Sequence, residues 1–174
     1  QRFGKHGKEI WIQATYNPIL DENGNTVRVI KFATDVTEQT LKNADYSGQI
    51  EAISRSQAVI AFNLDGTIQN ANDNFLQVMG YTLDQIKGKH HRIFVEAGER
   101  NSPDYKAFWQ ALNAGKHFTG EYKRIGNNGR EVWIQASYNP ILDLNGNPVR
   151  VVKYATDITA DKLRNADYQG QLNA

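Results

Sequence analysis

The side chains in this chain that could do chemistry are few. His90 and His91 are adjacent, in the segment KHHRIFVEAGERNSP. A neutral imidazole can ligate haem iron or carry a proton near neutral pH. Side chains that follow one another on an extended segment point opposite ways, so at most one of the two faces an interior. The bland reading of such a histidine is a helix-end residue hydrogen-bonded to backbone. Trp109 could stack on a planar cofactor, although filling a core is the preferred role. Asn72 could hydrogen-bond a ligand, but it stands where a helix begins, and capping is the preferred role. Lys153 breaks an apolar run. On strict alternation it shares a strand face with Val151 and Ala155, opposite Val152 and Tyr154. Either it meets an anionic group of a ligand or a bulge turns it to water. His117 follows Gly115 and Lys116 at a strand start and is expected in solvent.

Several function classes are excluded. The chain has no Gly-rich phosphate loop, no histidine and carboxylate set at metal-ligand spacing and no nucleophile elbow, and its Asp and Glu residues are scattered. An enzyme is not expected. The absence of cysteine removes disulfides, thiolate zinc sites, cysteine nucleophiles and cysteinyl–cofactor adducts. It is compatible with a reducing, cytoplasmic setting. A formal charge of +1 over 174 residues gives no electrostatic case for nucleic acid or an anionic membrane. No apolar run is long enough to span a bilayer.

The elements that would hold these residues are set by a repeat. Residues 7–37, GKEIWIQATYNPILDENGNTVRVIKFATDVT, return as 129–159, GREVWIQASYNPILDLNGNPVRVVKYATDIT. The spans 1–52 and 123–174 align without a gap at an offset of 122 and agree at about 33 positions. The chain therefore holds two copies of one module, the first lacking its beginning. Each copy of the stretch reads as a hairpin. Val132, Ile134, Ala136 and Tyr138 alternate with Trp133, Gln135, Ser137 and Asn139, a period of two. Pro140 marks a strand end or bulge, and Asn145-Gly146 suits a turn. Trp133 falls on the outer sheet face, where the linker helix or a second chain would cover it.

The boundaries that follow are residues 1–38 for the hairpin of a first module, 39–57 for a linker helix, 58–160 for a complete domain and 161–174 for the start of an exit linker helix. In the linker, Leu41, Tyr46, Ile50 and Ile53 recur at roughly helical spacing. The complete copy opens with strands over 58–63 and 67–70 about Asp65-Gly66. Helices follow after Asn72 or Asp73 and after Thr82. A longer helix over 104–112 places Phe108, Trp109 and Leu112 on one face. A strand over 118–125 precedes the hairpin. This order is α+β: a five-stranded antiparallel sheet with helices on one face, leaving room for a cavity between them.

The pattern resembles the PAS domain family. The resemblance rests on Phe62-Asn63-Leu64-Asp65-Gly66-Thr67-Ile68 for the opening hairpin and Asn70-Ala71-Asn72-Asp73-Asn74-Phe75 with Gly80-Tyr81 for the helix after it. It continues through Gly88-Lys89-His90-His91, Trp109 with Leu112 and Gly115, Asn128-Gly129 to Trp133, Pro140-Ile141, Asn145-Gly146 and the ending Asp157-Ile158-Thr159. It covers 58–160 in full and 1–38 in part. More narrowly, it is similar to the tandem modules of bacterial chemoreceptor-type transducers for aerotaxis and biofilm dispersal. Membership implies a sensor that holds haem, flavin, a small molecule or nothing between sheet and helices. It implies His91 as the residue for a haem iron, Asn72 and Trp109 beside a cofactor such as FAD, and Asp157 as the acid tying the sheet to the exit helix. The light-sensing flavin members need a cysteine, which is absent. After His91, Arg92-Ile93-Phe94-Val95-Glu96 departs from the flavin-contact segment of the aerotaxis module. Expected partners are a second copy of the chain and a downstream signalling domain. The alternative is a ligand-free dimerisation module.

Overall fold

The computed structural model describes residues 1–172, with side chains to Asp167. It divides into two compact units, Gln1–Ala52 and Ile53 onward. In the first unit, β1 (Arg2–Phe3) pairs with β2 (Glu9–Ile10), and β3 (Ile12–Leu20) pairs antiparallel with β4 (Thr26–Asp35). Helix α1 (Thr37–Ser56) follows and carries the boundary between the units. Its Leu41, Tyr46, Ile50 and Ile53 are exposed.

The second unit runs β5 (Ala58–Phe62), β6 (Ile68–Ala71), α2 (Asp73–Met79), α3 (Leu83–Ile86), α4 (Pro103–Asn113), β7 (Phe118–Ile125), β8 (Glu131–Leu142), β9 (Pro148–Asp157) and α5 (Thr159–Leu172). The spatial order is β6-β5-β9-β8-β7, and every neighbouring pair is antiparallel. This is the expected five-stranded α+β architecture. The exit-helix range reaches 174, and its last two residues lie outside the described residues.

The two copies agree in backbone as in sequence. Ile12 faces Asp35 as Ile134 faces Asp157, and the register slips between Ile19 and Leu20 as it does between Ile141 and Leu142. The turn before each hairpin holds a residue at positive φ, His6 at 64° and Asn128 at 58°, each followed by a glycine at positive φ. A short polar side chain tolerates that region better than most.

The core lies between the sheet and the helices. Ile60, Phe62, Val132, Ile134, Ala136, Tyr138, Val151 and Ala155 point inward from the sheet. They meet Phe75 and Met79 of α2, Ile86 of α3, Phe94, and Trp109 and Leu112 of α4. Strict alternation on β5 and β8 produces this face, because successive strand residues take opposite sides.

Candidate functional site

The interior of the complete module is not wholly apolar. Lys153 sits on the inner face of β9, 1% exposed. Alternation places it there, and β9 is regular at that point, its register slip lying at the far end of the β8–β9 pair. It pairs in register with Tyr138 of β8, its ammonium 4.8 Å from the Tyr138 ring centroid and 5.8 Å from that of Phe75. Burial pushes its pKa down from 10.5 to about 8.

Arg124 enters from β7, 8% exposed. Its Nη1 donates to the Lys123 carbonyl at 2.8 Å and its Nη2 to the Tyr138 hydroxyl at 3.1 Å. The guanidinium lies 4.8 Å from the Tyr122 ring centroid, a cation–π contact. Its Nε has no hydrogen-bond partner, and neither has the buried Nε1 of Trp109, although the Tyr105 hydroxyl is near enough to feel it. Burial raises the Tyr138 pKa while Lys153 and Arg124 lower it, and the cations prevail: it lies below the ordinary 10.0.

His91 closes the group from the opposite side. Its backbone N–H donates to the Gly66 carbonyl, anchoring a short helical turn, His91–Phe94. The side chain is fully buried, with Nδ1 2.9 Å from the Tyr105 hydroxyl and Nε2 3.1 Å from that of Tyr138. Burial, then Lys153 and Arg124, hold its pKa well below 6.5, so the ring is neutral at pH 7, with one nitrogen donating and one accepting. His90 points the other way and caps the same turn, accepting from the Arg92 N–H at 3.1 Å. The bland histidine role therefore falls to His90. Gly66 makes room for it: a Cβ there would lie 2.7 Å from His90 Nε2, and its φ of +85° excludes most side chains.

The remaining candidates fall elsewhere. Asn72 is occupied by the junction of α1, β5 and α2. Its Oδ1 accepts from the N–H groups of Val59 and Phe75, and its Nδ2 donates to the carbonyls of Ser54 and Gln57. Trp109, 7% exposed, makes ring contacts with Phe62, His90, His91 and Phe108. Trp133 is on the outer face, with Lys162 of α5 5.3 Å from its ring centroid. The helix after the last strand thus supplies a cover for which the sequence suggested the linker or a second chain. The Asp157 carboxylate accepts from the Thr159 N–H at 2.9 Å, and Thr159 Oγ1 accepts from the Trp133 N–H at 2.9 Å.

These positions test the cofactors that the resemblance implies. Haem iron at His91 would need one of two engaged nitrogens, and the imidazole is packed among Phe62, Phe94, Tyr105, Trp109 and Tyr138. A porphyrin does not fit this packing. A flavin would have to displace the ring contacts of Trp109 and find a hydrogen bond other than the five that the Asn72 side chain already makes. What the arrangement offers is cationic: two buried positive side chains on one tyrosine. Beside them lies a cleft of about 370 Å³, lined by Tyr105, Phe108, Tyr122, Arg124, Val95 and Ser102 with Glu99 and Asp104.

Arg124, Tyr138 and Tyr105 were not singled out by sequence reasoning. A signal was present for the first two. At the offset of 122, Arg124, Tyr138 and Lys153 coincide with Arg2, Tyr16 and Lys31.

A five-stranded antiparallel sheet in the order 2-1-5-4-3, with helices over one face, defines a class of small sensory domains. Residues 68–155 match the sequence model of the PAS fold and residues 2–38 that of a PAS domain. The chain belongs to the PAS family. It is 40% identical over 173 residues to the biofilm dispersion protein BdlA of Pseudomonas aeruginosa, covering 99% of this chain and 41% of that protein. It is 31% identical over 80 residues to the aerotaxis receptor of Escherichia coli, covering 46% and 16%. The chain thus spans well under half the length of either relative. Among solved structures, a PAS domain from Colwellia psychrerythraea superposes with a TM-score of 0.57 at 22% identity, covering 66% of this chain and 98% of that one. A light-oxygen-voltage domain studied with a flavin analogue gives 0.56 at 18%, covering 73% and 96%. At these identities the structures speak to fold alone.

Proposed function

We propose that this chain is the sensory part of a chemotaxis-type signalling protein and not an enzyme. In this reading the complete module takes a small ligand between sheet and helices and passes a conformational change to α5. A methyl-accepting signalling domain elsewhere in a longer cytoplasmic protein reads it. The observation that carries the proposal is the clip joining the sheet to α5. Asp157 holds the Thr159 amide, Thr159 holds the Trp133 amide, and the Ile158 N–H donates to the Trp133 carbonyl at 2.8 Å. The clip recurs as Asp35, Thr37, Trp11 and Val36. Helix α5 therefore starts from a fixed point on β8, the strand that carries Tyr138. A shift of β8 has a short path into the helix, and two arrangements of that junction would suffice for signalling.

The test is a fusion of the chain to a methyl-accepting signalling domain, read as activity of the coupled kinase. The expected outcome is an output that Asp157→Ala changes while the fold, by circular dichroism, is kept. An output indifferent to Asp157→Ala and to added small molecules would leave the second reading, a ligand-free dimerisation module. That reading has its own support in Leu41, Tyr46 and Ile50 of α1, apolar or aromatic side chains that are exposed on the linker helix.

A further inference from the structure

The buried charge of the complete module does not balance. Among the described residues, the buried polar or charged side chains are His91, Arg124 and Lys153, and no carboxylate is with them. If Tyr138 is neutral, two cations share the interior. If Tyr138 is ionised, one positive charge remains in excess. A buried charge without a partner is costly, and such charges persist where something compensates them. An unmade hydrogen bond has the same sense. Among the described residues, the buried Nε–H of Arg124 is a donor left without a partner. What is missing is an acceptor carrying negative charge.

The internal repeat carries the same three residue types at the matching positions. In the first unit, Lys31 lies 5.3 Å from the Tyr16 ring centroid, as Lys153 lies over Tyr138. Arg2 and Lys31 lower the Tyr16 pKa. Phe3 stands where the second copy has Ile125, Lys5-His6 where it has Asn127-Asn128, and Thr26 where it has Pro148, yet the arginine, tyrosine and lysine are the same in both. Packing alone would accept a methionine or leucine at the lysine position and would gain from it.

We propose that Arg124, Lys153 and Tyr138 form a recognition site for a small carboxylate with an apolar body. The carboxylate sits on the Arg124 guanidinium where it borders the cleft, taking N–H groups that the Lys123 carbonyl and the Tyr138 hydroxyl leave unused. Lys153 acts at a distance, its ammonium 4.8 Å from the Tyr138 ring centroid adding to the positive field around Arg124. The apolar body lies in the adjoining cleft against Tyr105, Phe108 and Tyr122, whose volume of about 370 Å³ suits a small organic molecule. The acids in that cleft, Glu99 and Asp104, are exposed, so solvent screens them more than it screens Arg124. This deepens the sensory reading above by naming the class of ligand, and it rests on that reading for its purpose.

The test is calorimetric titration of the intact chain with phenylacetate, with phenylacetamide as the uncharged match and inorganic phosphate as the other anion. Saturable binding of phenylacetate, with phenylacetamide at least about tenfold weaker, is expected, since a charge-assisted hydrogen bond is worth about that factor. Arg124→Gln should weaken phenylacetate by a similar factor. Lys153→Met should weaken it too while raising the melting temperature of the free protein, which a merely structural lysine would not do. If Arg124→Gln fails to fold, Lys153→Met alone decides. Equal binding of acid and amide, unchanged binding in a folded Arg124→Gln or Lys153→Met, or binding of phosphate only would overturn the proposal. Hydrogen exchange at α5 separates the two readings: binding that leaves α5 unchanged upholds the site and counts against the relay.

Discussion

Lys153 makes the stability of the complete module depend on alkaline pH. Its pKa is about 8 when folded and 10.5 when free. Between these values the unfolded chain holds a proton that the folded one lacks, so stability rises as pH rises from about 8 to 10.5. The full shift corresponds to about 3 kcal/mol. Tyr138, with a lowered pKa, acts with the same sign. Urea denaturation across that range should show the rise, and Lys153→Met should flatten it. His91 works at the other end. Because its folded pKa lies well below 6.5, acid pH protonates the unfolded chain first, and stability falls as pH drops through 6.5. Trp109→Ala should cost about 3–5 kcal/mol by denaturant titration, since it removes a buried indole from the aromatic cluster. At this scale the sequence indicated that one of His90 and His91 faces inward. It did not indicate the partners, because Tyr105 and Tyr138 lie 14 and 47 residues away from His91 and reach it only through the fold.

Between elements, Asn72 joins three of them. It accepts from β5 and α2 and donates to the end of α1 and the residue after it. Asn72→Ala should cost about 2–3 kcal/mol, more than a simple cap, because buried backbone groups lose partners on both sides. Asn72→Asp keeps the accepting half and loses the donating half, so its loss by thermal unfolding should fall between the wild type and alanine. The cap was legible from its position before the helix. The carbonyls of Ser54 and Gln57 were not, since nothing in a polar linker says which of its carbonyls needs a donor. The strands were the most legible elements. Period two, the turn residues and the repeat all agree over 129–159, and the observed β7 spans the expected 118–125. Lys153 shows the limit of that reading. Alternation put it on the apolar face, but only the inward packing of Tyr138 and Phe75 decided between ligand side and water.

Across the whole molecule, the two copies differ in what covers them. In the second, Tyr138, Val151 and Ala155 are buried by β5 and the helices. Their counterparts Tyr16, Val29 and Ala33 are exposed, as are Trp11, Ile19, Ile30 and Phe32. The outer strand β4 also offers a line of backbone groups that in β9 are paired with β5. An unpaired strand edge with contiguous apolar side chains tends to find a partner. In the 174-residue chain a second copy can occupy that edge, with β3, β4 and the exposed Tyr46 and Ile50 of α1 contributing, whereas in a longer chain residues preceding Gln1 can occupy it instead. Sedimentation velocity over a range of concentrations should show a dimer, and deletion of residues 1–45 should shift it towards monomer. A chain that sediments as a monomer before and after the deletion, with 1–37 cut rapidly by protease, would show that the first hairpin takes no part in assembly.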